Sequence, residues 1–182
     1  VSFNEEKYGI IKIKGFQEDT YRSVVSAVNS FQRESDNKLA GIILDFRNNP
    51  GGLLDQAILV ADKFLSKGEI VITTGSDNAD EEVAKAKSRS DDVNVPMIVL
   101  INQGSASASE IVAGALKNND RALVMGQKSF GKGSVQSLFN LRDGSSLKLT
   151  VSQYLTPGHE SIQAVGIYPD IHLYPSVIGK DF

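Results

Sequence analysis

Pro96-Met97-Ile98-Val99-Leu100-Ile101-Asn102 passes through Gln103 into Gly104-Ser105-Ala106-Ser107-Ala108-Ser109-Glu110, and a helical pattern follows to Lys117. The apolar run is short, unbroken and bounded by Pro and Gly, which reads as a strand buried on both faces. A strand, a tight turn and a helix in that order form half of a parallel β-α-β unit. Working outward, Arg121 to Gly126 reads as the next strand. Upstream, Tyr8 to Lys14 and Gly41 to Phe46 read as strands, and Glu69 to Thr74 as another. Between them, Glu18 to Ser35 carries Tyr21, Val24, Val25, Val28 and Phe31 at helical spacing, with Asp19-Thr20 as a candidate cap. Leu53 to Leu65 repeats the helical pattern after Asn48-Asn49-Pro50-Gly51-Gly52. Successive strand-helix units predict an α/β domain with right-handed crossovers, one domain over residues 1–182. Downstream, Ser134 to Leu141 and Ser146 to Tyr154 predict a hairpin turning at Asp143-Gly144. The polar span Gly75 to Asn94 reads as a solvated surface excursion.

Composition narrows the chemistry. A chain of 182 residues with 41% hydrophobic and 23% charged residues is long and apolar enough for one well-buried core. A net charge of -3 leaves no basic footprint, so nucleic acid is not an expected partner. With no cysteine and two histidines, His159 and His172, at no metal-ligand spacing, neither a thiolate site nor a metal site is expected. No apolar run reaches the roughly 18 residues of a membrane span, and the polar start at Val1 does not read as a signal peptide. The start without methionine reads as a trimmed core.

The remaining nucleophiles are hydroxyls. Ser107 follows a buried strand at the first turn of a helix, where unpaired N–H groups and the positive dipole end favour an oxyanion. The competing reading of these serines is plain helix capping. Lys132 sits in Phe130-Gly131-Lys132-Gly133-Ser134-Val135-Gln136, where two glycines let the backbone bend closely. A lysine titrates at about 10.4 in water, so it must be desolvated to serve as a base, and Phe130 and Val135 are the candidate apolar walls. Gln136 is placed to orient the lysine amine. Read alone, the same segment is a surface lysine in a glycine turn. The diglycine Gly51-Gly52 exposes N–H groups that can form part of an oxyanion hole, or simply fills special dihedrals. Gly126 to Lys132 fits seven positions of the phosphate-binding pattern GxxxxGK[ST], but Gly133 replaces the required hydroxyl and a strand follows instead of a helix.

Taken in order, these segments resemble the C-terminal processing peptidases, the tail-specific serine proteases of bacteria and chloroplasts. The resemblance runs through Tyr8 to Ile13, Phe16 to Thr20, Leu44 to Gly52, Val99 to Asn102, Gly104 to Glu110, Ser129 to Gln136 and Gly166 to Asp170. It implies a fold like that of the ClpP and crotonase proteins, built from stacked β-β-α units. It further implies Ser107 as the nucleophile, Lys132 as general base, Gln136 as support for the lysine, and the backbone N–H groups of Gly52 and Ala108 as oxyanion donors. No cofactor is implied. The partners implied are unfolded or tail-exposed polypeptides, in an extracytoplasmic compartment, and the family is compatible with a homo-oligomer. Its members usually carry a PDZ domain just before the segment starting near Tyr8, where a substrate tail docks by strand addition; the seven residues ahead of Tyr8 in this sequence are too few to hold one.

The expectation is therefore a serine endopeptidase core working through an acyl-enzyme with a Ser/Lys dyad. Two other classes compete: a non-catalytic binding or scaffold domain on the same framework, and an acyl-CoA enzyme of the crotonase type. Binding of a CoA thioester separates the last. A histidine-assisted serine site through His159 or His172 is the weakest alternative.

Overall fold

A six-stranded sheet and a five-stranded sheet enclose a layer of helices in the computed structural model, which describes residues 1–36, 38–75 and 81–174. The chain runs β1 (Ser2–Phe3), β2 (Glu6–Lys12), α1 (Thr20–Glu34), β3 (Leu39–Asp45), α2 (Leu54–Phe64), β4 (Glu69–Gly75) and β5 (Glu81–Lys85). It continues with β6 (Met97–Ile101), α3 (Ala108–Asn118), β7 (Leu123–Gly126), β8 (Ser134–Asn140), β9 (Ser146–Thr156), β10 (Glu160–Ser161) and β11 (Ile171–His172). The first sheet has the order β1-β2-β3-β6-β7-β11, and from β2 onward all its neighbours are parallel. The second is antiparallel, β10-β9-β4-β5, with β8 paired to β9.

The alternation of strands and helices read from the sequence is the α/β framework observed, with ends differing by a few residues. The helix α3 shows why periodicity alone understates it. Residues Ala108 to Leu116 are all buried, because α3 packs on α2, on β4 and β9 of the second sheet, and on β7 of the first. A helix with neighbours on all sides is apolar all round. Phe46, Leu44, Ile101, Ile111 and Leu116 form the fully buried centre around it.

One expectation needs correction. The polar span Gly75 to Asn94 is not simply a surface excursion: Glu81–Lys85 pairs antiparallel with β4, and Val93 is buried at 3% exposure. Charge pairing explains the departure. The buried Lys63 on α2 binds the Asp91 carboxylate and its carbonyl, the latter at 2.8 Å, while Asp62 takes Arg89. Arg89 also donates to the Tyr21 hydroxyl at 3.1 Å. Polar residues that look solvated in sequence here satisfy charges buried on a helix. The portion 76–80 lies outside the described residues.

Candidate active site

Parallel strands place successive loops at one end of a sheet. β3, β6 and β7 are neighbours in that order, and each sends a loop from its carboxyl end. After β3 comes the diglycine turn, after β6 the serine run, and after β7 the Gly131-Lys132-Gly133 loop. Three segments distant in sequence therefore meet in the crevice where open α/β sheets bind ligands.

The diglycine and serine loops are locked together by buried polar groups. Asn49 is fully buried; its Nδ2 donates to the Ile13 carbonyl at 2.8 Å and its Oδ1 accepts the Gly51 N–H at 2.8 Å. The Asn49 carbonyl accepts both the Ala106 N–H and the Ser109 hydroxyl at 2.9 Å. Ser105 Oγ donates to the Phe46 carbonyl at 2.9 Å, and Asn48 and Asn102 exchange two further bonds. The fit is close enough that a Cβ on Gly51 would stand 2.8 Å from Ser107 Cβ and 3.0 Å from the Ala108 nitrogen. Gly52 has φ +143°, and a Cβ there would lie 2.1 Å from the Phe16 carbonyl oxygen. Its flanking backbone bonds, Phe16 N–H to Gly51 and Leu53 N–H to Phe16, turn the Gly52 N–H the other way. The N–H groups of Gly52 and Ala108 have no acceptor among the described residues. Two free donors beside a serine are what an oxyanion hole requires.

Ser107 occupies the N-cap position of α3 with φ 56° and ψ −116°. That combination is outside the allowed regions for a side chain with a Cβ, so the surroundings must impose it. The lysine loop is tied in as well. Phe130 N–H donates to the Ser105 carbonyl at 2.9 Å, and Gln127 N–H to the Ile101 carbonyl at 3.1 Å. Gly133 N–H donates to Gln163 Oε1 at 3.0 Å, and the Gly131 carbonyl accepts the Ala164 N–H at 2.9 Å.

The central link is Glu110, fully buried in the first turn of α3. Its Oε2 accepts the N–H groups of Ser107 at 2.7 Å and Lys132 at 2.8 Å. Its Oε1 accepts the Ser129 hydroxyl at 2.5 Å and the Gly131 N–H at 2.6 Å. One carboxylate thus holds the backbone of both candidate catalytic residues. The serine motif contained this residue without revealing its reach. The spacing Ser107-x-x-Glu110, a capping-box pattern, was the available signal.

The surroundings of Lys132 and Gln136 are more open than the sequence predicts. Lys132 and Gln136 are exposed, and neither side chain makes a hydrogen bond or ion pair among the described residues. Phe130, expected as an apolar wall, is 67% exposed, and Val135 is only partly buried. The physical reason is local: Gly131 and Gly133 are both bonded to the 162–166 turn, so the loop backbone is held inward and the lysine projects outward. The phosphate-loop alternative has no support, since β8 rather than a helix follows. His159 lies beside Glu81 at 3.2 Å and His172 in β11 stacks on Tyr174.

Residues 7–173 match the profile described as Peptidase family S41. Over 168 residues the chain is 49% identical to a carboxy-terminal-processing protease of Bartonella bacilliformis, covering 92% of this chain and 39% of that relative. It is 42% identical over 166 residues to a carboxyl-terminal-processing protease of a Synechocystis strain, covering 91% and 38%. Among solved structures it is similar to a photosystem II D1 C-terminal processing protease, with TM-score 0.85 and 36% identity, over 94% of this chain and 43% of that one. The chain thus spans about two fifths of the length of these relatives. Its α/β architecture agrees with the ClpP/crotonase-like fold that the sequence resemblance implied.

Proposed function

The chain belongs to peptidase family S41, and on that premise we propose that it is a serine endopeptidase core using Ser107 and Lys132. The observation that carries this is the convergence of three loops, which sets the strained Ser107 beside two free N–H donors and ties it to the lysine loop through one carboxylate. Neutral Lys132 takes the proton from Ser107 Oγ as that oxygen attacks the scissile carbonyl. The Gly52 and Ala108 N–H groups receive the oxyanion of the tetrahedral intermediate. The protonated amine then passes its proton to the departing amine, and the neutral lysine activates water to release the acyl group. Gln136, exposed on β8 beyond the loop, is the residue we assign to orient the lysine amine once substrate covers the crevice.

Because Lys132 is exposed, polypeptide bound over the crevice supplies the dehydration that makes it a base. Substrates are unfolded or tail-exposed polypeptides, in an extracytoplasmic setting. A PDZ domain elsewhere in a longer chain would present the tail.

Cleavage of an unstructured protein such as casein, compared between this chain and its Ser107→Ala and Lys132→Ala variants, tests the proposal. Turnover is expected to fall by about a thousandfold or more in each variant. Undiminished cleavage by either one overturns it.

A further inference from the structure

We propose that Glu110 is a positioning residue that sets the Ser107 turn and the Lys132 loop in one catalytic register; this rests on the Ser107/Lys132 reading. A capping box asks a glutamate at this position only to accept the N-cap N–H. Glu110 does that with Ser107, and then spends its other three hydrogen bonds on Ser129, Gly131 and Lys132. Those donors lie 19, 21 and 22 residues downstream, on a different loop. Four donors match the roughly four lone-pair directions of an ionised carboxylate, leaving no acceptor position for water or substrate. All four partners donate, so the site is built for the anion, and bonds to an anion are shorter and stronger than neutral ones. The positive end of α3 adds to its stabilisation.

Two consequences follow from the geometry. The Ser107 N–H bond helps hold that residue at φ 56° and ψ −116°, aiming the nucleophile away from an unstrained helix start. The Lys132 N–H bond on the same oxygen fixes where the lysine side chain leaves the backbone. Ser129 extends the arrangement, since its hydroxyl also accepts the Ile167 N–H at 2.7 Å and anchors the loop to the segment behind it. Glu110 is buried and faces no substrate, so its influence falls on the chemical step rather than on binding.

The test has two readouts. Hydrogen exchange at the Gly131 and Lys132 amides reports the clamp whether or not Ser107 is the nucleophile; kcat and KM for Ser107-dependent cleavage report its effect on the reaction. In Glu110→Gln one acceptor oxygen becomes an NH₂ donor facing N–H groups. The Gly131 and Lys132 amides sit on different oxygens, so we expect the one that faces the new NH₂ to lose protection, and kcat to fall about a hundredfold with KM nearly unchanged. Retained protection at both amides, or a kcat within twofold of the parent in a folded variant, overturns the inference. If Glu110→Gln does not fold, Ser129→Ala decides. That variant removes one of the four donors, and about a fivefold loss of kcat at constant KM is expected, against no change if Glu110 serves only as a cap. A parent chain without Ser107-dependent turnover defeats the dyad reading instead, and the exchange data still judge the clamp.

Discussion

Gly52 illustrates how far a single residue can matter here. Its φ of +143° and the 2.1 Å approach of a Cβ to the Phe16 carbonyl leave no room for any side chain. Gly52→Ala must therefore displace the turn, and with it one of the two free N–H groups. We expect a loss of about a hundredfold or more in kcat, in keeping with removal of an oxyanion donor, together with a lowered melting temperature. Wild-type kcat in this variant would show that the Gly52 amide is not used. The sequence pointed to Gly52 because a diglycine after a buried strand implies unusual dihedrals. It did not point to Asn49 or Glu110, whose importance lies in partners 36 and 22 residues away. A side chain's distant hydrogen bonds leave no local pattern to read.

At the scale of elements, the order β3, β6, β7 brings the three loops together, and the strand-helix alternation made those elements legible. The pairing order itself was not legible, because parallel neighbours need not be consecutive in the chain. At the end of β3, Asp45 is almost fully buried and receives the Arg47 guanidinium on both oxygens at 2.8 Å, with the Arg47 N–H at 3.0 Å. The Arg47 hydrogen bonds hold its carboxyl below the usual value, outweighing burial, which acts the other way. A pKa lowered on folding stabilises the native state above the unfolded carboxylate's value of about 3.9, and that contribution disappears as pH falls through the folded value. Melting temperature followed against pH should show Asp45→Asn less stable than the parent near neutrality. The gap should narrow below about pH 4. A gap constant across that range would mean the Asp45 charge contributes nothing.

For the whole molecule, the α/β class and the family were readable because several moderately specific motifs occur in one order. The environment of Lys132 was not. Its desolvation was inferred from the neighbouring Phe130 and Val135, but loop residues adjacent in sequence need not face the same way, and Phe130 points to solvent. The hairpin of β8 and β9 that begins just after the lysine loop likewise shows Leu138, Phe139, Leu147 and Leu149 at its surface. The polar span Gly75 to Asn94 departs from a solvated excursion for a related reason, since Arg89 and Asp91 within it pair with charges buried on another element.

We propose Ser107 as the nucleophile and Lys132 as its base. Covalent labelling by a peptidyl fluorophosphonate that spans the crevice, mapped by mass spectrometry, tests this most directly. We predict a single adduct on Ser107 whose formation is nearly abolished in Lys132→Ala. An adduct on another residue, or a Lys132→Ala chain labelled at the parental rate, would contradict the account.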